Sequence, residues 1–374
     1  MHFIRSPLRQ CILPLVACFT ASTILGQEPS IDRLLSKLPA PEKFEKSPLE
    51  HALRQPDLVL KDRLVGPLVI AARARHFSVA LSLSRQLVNH HPQNPVAHLL
   101  HGSMAIPARQ YAEANAAFQK AIFLRPKFAP GHFGLGAVEA VQGHFNAAIP
   151  HFEQATHLEP NYIAAWLALS ECAGKLGHKE QSLEYAKRAT TAGSAQASTW
   201  IHLARAENAL GHTQETLKAM SHAAEVHPDN GEIQAVIGYT YINLKRPREA
   251  ILPLQRAARH MPRDFLVQSQ LGYCLMETGQ TDSAIGYLRK GASLKSDYGP
   301  VWEHLGLAYQ KKGGHKDAIK AFERATQLMP KAPRPWMHLA QEYRAVGRAA
   351  DADRATARAH QLGGVAQKTA SKKT

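Results

Sequence analysis

The chain's 21 histidines include six whose spacing could do chemistry. His144, His178 and His212 recur every 34 residues, and His202, His304 and His338 fall on a second phase of the same interval. Imidazoles at one interval could form a ladder of metal ligands. Zinc, however, needs its ligands within about 2 Å of one shared ion. Units stacked side by side hold equivalent residues about 10 Å apart, one helix diameter. The spacing therefore favours drift at solvent-exposed turns, and neither metal nor cofactor is expected. No Gly-rich phosphate loop, HExxH or Gly-x-Ser-x-Gly occurs. Of four cysteines, Cys172 and Cys274 lie in the body, three intervals apart and too distant to bridge; they read as buried free thiols. A non-enzyme is the expectation.

The interval that spaces the histidines runs through the whole body of the chain. FEQATHLEPNYIAAWLAL, residues 152–169, and FERATQLMPKAPRPWMHL, residues 322–339, align without a gap 170 residues apart. Counting by 34 gives Pro92, Pro126, Pro160, Ser194, Pro228, Pro262, Ser296 and Pro330. A second series, Gly102, Gly136, Ser170, Ala204, Gly238, Gly272, Gly306 and Ala340, is small throughout, and Trp166, Trp200, Trp302 and Trp336 share one phase. Within 299–332, Val301, Trp302, Leu305, Ala308 and Tyr309 have helical spacing. Gly313-Gly314 breaks that helix. Ala318, Ile319, Phe322, Ala325 and Leu328 mark a second one, which Pro330 stops. Two such helices form an antiparallel pair, and a pair that cannot bury both faces must stack on its neighbours.

Trp302, Leu305, Gly306, Tyr309, Ala318, Phe322 and Pro330 match the W-x2-L-G-x2-Y…A-x3-F…P signature, so the chain resembles the tetratricopeptide-repeat family. Eight repeats start at Pro95, Ala129, Ile163, Ala197, Gly231, Phe265, Gly299 and Pro333. His98, His132, Gln234 and Gln268 depart from the Trp, and Arg246-Pro247 from the usual turn. The expected fold is all-α, a right-handed α-α superhelical solenoid of about eight 34-residue helix-turn-helix repeats. Its parts would be a signal peptide over 1–26 and a proline-rich linker over 27–60, with a short helix near Ile31 to Leu38. A degenerate repeat or N-terminal cap at 61–94 would follow, with Pro67 mid-helix, then repeats over 95–364 and a basic disordered tail over 365–374.

The resemblance implies a concave groove, lined by first helices, that binds peptide segments. Carried over, the groove phases place Arg205, Asn208, Tyr239, Asn243, Tyr273, Met276 and Glu277 there. Amides can pair with a backbone and tyrosines offer rigid contact area; the alternative is that Tyr239 and Tyr273 pack between helices. Leu99, Ser103, Phe133, Gly134, Ala164 and Ala168 stand where some relatives carry a Lys/Asn clamp for chaperone tails, so that ligand is not expected.

The formal charge is +15, which suits polyanions or anionic lipid. Groove phases nonetheless carry Lys175, Arg205, Lys311, Arg334 and Arg344 against Glu171, Glu232, Glu277 and Glu303, which is no funnel for a nucleic-acid strand. No specific nucleic acid is expected. At the N-terminus, Arg5 and Arg9 precede the apolar run CILPLVACFTASTIL and then Gly26, the layout of a secretory signal. Three readings stand: simple cleavage, lipidation of Cys18 within LVAC, or an uncleaved anchor tethering the chain to a membrane. All place the body outside the cytosol, in a bacterial periplasm or envelope. The function expected is an exported scaffold that binds other proteins and supports assembly of an envelope or secretion complex. The alternative is polyanion or lipid binding through the basic exterior.

Overall fold

The structure, a computed structural model, describes residues 57–370 together with Leu35 and Leu53; residues 1–26, read above as a signal peptide, with Cys18 among them, and most of the proline-rich stretch lie outside the described residues. Among the described residues the chain is all-helical, its α-helices packed in consecutive pairs. A 3-10 turn at Leu58–Lys61 leads into α1 (Val65–Arg73) and α2 (Phe77–His90). Eight pairs follow at the period of 34. These are α3 (Pro95–Ala105) with α4 (Tyr111–Leu124), α5 (Ala129–Val141) with α6 (Phe145–Leu158), and α7 (Ile163–Lys175) with α8 (Lys179–Ala192). Next come α9 (Ala197–Ala209) with α10 (Thr213–Val226), α11 (Gly231–Asn243) with α12 (Pro247–His260), and α13 (Phe265–Glu277) with α14 (Thr281–Leu294). The last are α15 (Gly299–Lys311) with α16 (His315–Leu328), and α17 (Pro333–Ala345) with α18 (Ala349–Ala370).

Five of the eight pairs are locked by a glycine of the first helix against a large side chain of the second: Gly102, Gly136, Gly238, Gly272 and Gly306. A Cβ on Gly306 would lie 2.5 Å from the Phe322 ring, one on Gly136 2.7 Å from Phe152, and one on Gly238 2.5 Å from Leu254. Only a bare Cα lets the backbones close over these side chains. The turns between paired helices need a left-handed residue, met by Gly143, Gly177, Gly211, Gly279, Gly313 and Gly347 at φ of 77–85°. The unusual turn at Arg246-Pro247 keeps this geometry, because Lys245 takes φ 59° and Pro247 opens α12.

The departures from Trp also prove conservative. Each Trp donates its indole N–H to the carbonyl six residues back, as Trp166 does to Pro160 at 2.8 Å and Trp302 to Ser296 at 3.0 Å. Gln234 and Gln268 donate their amides to Pro228 and Pro262 at 3.1 and 3.3 Å, and a ring nitrogen of His98 meets the Pro92 carbonyl at 3.0 Å. The phase selects an N–H of the right reach, not an indole.

Two expectations at the ends are corrected. Pro67 is not mid-helix: it is the third residue of α1, in the first turn, where its missing N–H costs no bond. The last helix continues to Ala370, through much of the stretch read as a disordered tail. No proline interrupts it, and Ala366, Gln367 and Lys368 are good helix formers.

The apolar core is continuous from Val59 to Cys172 and resumes at Ala197. Between them α8 buries only Ser182, Ala186, Ala189 and Thr190. Ala186 occupies the phase held by Phe118, Phe152, Met220, Leu254, Leu288 and Phe322. Cys172 and Cys274 are buried free thiols, which burial pushes up to about 12 and so out of reach of thiolate chemistry.

Candidate binding groove

First helices of neighbouring pairs touch one another at five places (α3 with α5, α7 with α9, α11 with α13, α13 with α15 and α15 with α17), whereas no comparable contact joins the second helices among the described residues. The array therefore curves with its first helices inside. The α7–α9 approach is the most extensive, because small residues face each other there. Gly174 stands where other repeats place Ile242, Met276 or Gln310, and Ala206 and Ala209 continue the gap on α9.

A cavity of about 510 Å³ opens between α7, the start of α8, and α9. Ser170, Ser182 and His202, with the charged Glu171, Lys175, Lys179 and Arg205, form its polar lining. The two serines stand in place of a Gly/Ala contact and bond reciprocally, Ser170 Oγ to the Ser182 carbonyl at 2.9 Å and Ser182 Oγ to the Ser170 carbonyl at 2.8 Å. His202 is 4% exposed and its Nε2 has no hydrogen-bond partner. Burial, with some help from the Arg205 charge, pushes this imidazole down to about 3, so it stays neutral.

Leu35 also lines the cavity and is 2% exposed, although it belongs to the chain far upstream. Its carbonyl accepts two hydrogen bonds from Arg205, from Nε at 3.1 Å and from Nη2 at 2.9 Å. Burial lowers the Arg205 pKa, opposed by Glu171, and raises that of Glu171, opposed by Lys175 and Arg205. A partly desolvated guanidinium is costly unless its donors are met, and a main-chain carbonyl meets two of them. Burying one leucine contributes about 1.5–3 kcal/mol and a hydrogen bond to a charged group about the same. Ordering a residue costs about 1–2 kcal/mol, so such an anchor holds a short stretch reversibly.

The other expected groove residues divide. Asn208 is half-buried on α9, and Asn243 and Glu277 are exposed at the ends of α11 and α13. Tyr273 is half-buried and stacks on His304, ring centres 4.9 Å apart, a bridge between α13 and α15. Tyr239 and Met276 are 3% and 1% exposed and offer no contact area to a segment; both are core. Tyr239 occupies the phase of Arg205, but its ring lies under the opening of α13 beside Asp264 and Val267. Groove charges are largely matched between neighbouring first helices, Lys311 with Glu277 at 3.6 Å and Arg334 with Glu303 at 3.4 Å. No group of three metal-ligating side chains gathers among the described residues. Two turn histidines instead pair with a glutamate five residues back, His144 with Glu139 at 2.9 Å and His212 with Glu207 at 2.7 Å. Leu35 and the Gly174 gap escaped the reading of the sequence, although Ala186 breaks a phase held by large apolar side chains in six other repeats.

Stacked helix pairs with an inner face of first helices define a helical-repeat solenoid. Within that class the chain is a tetratricopeptide-repeat protein: family models described as tetratricopeptide repeat match residues 152–304 and 299–331. Comparison with curated proteins gives no match. Similar solved structures include YrrB, described as a TPR protein with an unusual peptide-binding site, at 18% identity over 48% of this chain and 92% of that one, TM-score 0.45. MamA is similar at 22% identity over 44% and 97%, TM-score 0.43. MamA from Desulfovibrio magneticus RS-1 is similar at 18% identity over 45% and 96%, TM-score 0.43.

Proposed function

We propose that the chain is an exported, non-enzymatic scaffold that holds an extended segment of another protein along its inner face, gripped chiefly between α7 and α9. The repeat fold suggests protein–protein interaction. One observation carries the finer reading: Arg205 turns both Nε and Nη2 onto a single backbone carbonyl beside a cavity that accepts an aliphatic side chain. A main-chain carbonyl is present in every peptide, so the grip fixes a segment, and the cavity selects an aliphatic residue. The basic N-terminal start and apolar run support export to the periplasm or envelope, with or without a tether at Cys18. No described helix is long and apolar enough to cross a membrane.

Panning a displayed random-peptide library against the folded protein tests the grip. Recovered peptides should carry an aliphatic anchor and lose at least tenfold in affinity against Arg205→Ala of unchanged helicity. Equal binding to the variant, or binding abolished by moderate salt, would overturn the assignment, since polyanion-type contacts weaken steeply with salt. Fusing residues 1–60 to a reporter active only outside the cytosol tests export; a silent but intact fusion would sink it.

A further inference from the structure

We propose that the α7–α9 groove is occupied in cis by this chain's own upstream segment, anchored through Leu35, so that a partner's segment must displace it. The inference deepens the groove reading and rests on it. Three observations carry it.

First, the seat matches the occupant. Repeat three lacks the large core side chain that six other repeats carry, having Ala186, and lacks the groove-floor side chain, having Gly174. Leu35 is buried at that repeat and joins the core cluster that begins at Ala197. Second, the contact is directional: the Leu35 main chain accepts both Arg205 donors, as a bound segment would. Third, the tether reaches. The Asp57 carboxylate accepts the Asn94 side-chain amide at 2.8 Å, fixing the chain at the start of α3. From there about 20 residues lead back to Leu35, on the order of 70 Å when extended, against roughly 30 Å for the three repeats between α3 and α9. A covalent connection long enough to reach makes occupation of the groove by this segment an intramolecular event. The cavity continues beyond Leu35, leaving an incoming segment space to bind beside the anchor before replacing it.

The test uses a fluorescent synthetic peptide copying residues 29–41, PSIDRLLSKLPAP, added in trans. The parent should bind it poorly, because the tethered copy competes. Leu35→Asp should bind it at least tenfold more tightly, and adding Arg205→Ala should abolish that gain. Should Leu35→Asp melt early, Leu35→Ala in the same assay must shift affinity the same way by at least threefold. Equal affinity for parent and Leu35 variants, or no binding by any, overturns the cis occupant. If library peptides still require Arg205 in that case, only the cis inference fails; if they ignore Arg205, the groove reading falls with it.

Discussion

The pair α15–α16 and the pair α7–α8 obey one period and pack by opposite means. In α15–α16 a bare Gly306 closes over Phe322, which is fully buried. In α7–α8 the matching positions are Ser170 and Ala186, the contact is a reciprocal serine bond, and space is left over. The intact pair completes its core from within. The altered pair leaves a place that a residue from elsewhere fills, and in this chain Leu35 fills it. In a repeat array each unit contacts only its neighbours, so a packing defect in one unit is confined there and becomes a site.

The comparison breaks most directly at the large side chain. Phe322→Ala should cost about 3–5 kcal/mol by cavity formation, read as a lowered urea midpoint. A matching loss from Leu35→Ala would mean that Leu35 is an integral core residue and no exchangeable anchor.

Acid should act on the altered side. Folded His202 stays neutral down to about pH 3, whereas the unfolded imidazole takes up a proton near its ordinary 6.5. Between those values the unfolded state binds more protons, so stability falls as pH drops through the window and is indifferent above it. From pH 6.5 to 5 the loss should approach about 2 kcal/mol. His202→Gln should flatten that slope in urea titrations at several pH values; an unchanged slope would place the acid response elsewhere, as at His304, which burial beside Arg334 pushes down to about 4.

Glycine substitutions sharpen the contrast. Gly306→Ala must push a Cβ into Phe322 and should destabilise by about 1–3 kcal/mol. Gly174→Ala meets only Ser182 Oγ, at 3.4 Å, and should be neutral or stabilising by up to about 1 kcal/mol through helix propensity. Thermal melts that ranked the two in the reverse order would contradict the packing described.

The fold was legible in the sequence because stacking imposes one period on every unit, and Gly306, Phe322, Trp302 and Pro330 each mark a fixed role in it. Gln234 and His98 looked like departures only because the role, an N–H donor, was narrower than the residue name. The site was legible in part. The position of Arg205 on the first-helix face follows from phase alone. Tyr239 shares the Arg205 phase yet is buried, since the opening of the next first helix covers its ring, and that depends on spacing between repeats which no single helix encodes. Leu35 sits 170 residues from Arg205, and no periodic pattern links them.

The smallest effect tests whether the altered pair differs in packing alone. Gly177 in its turn and Gly313 in the intact pair share a left-handed backbone, φ 80° and 77°, and an added Cβ on either would meet nothing within 4 Å. Alanine at each should therefore cost about 1 kcal/mol from backbone conformation, and equally at both. Lys245 already pays such a cost at φ 59°, so Lys245→Gly should recover about 0.5–1 kcal/mol once the freer unfolded chain is counted. A Gly177→Ala loss well beyond the Gly313→Ala loss, measured by the same melts, would show that the backbone of repeat three is itself strained. In that case the space beside Leu35 would follow from the turn and not from the absent Phe.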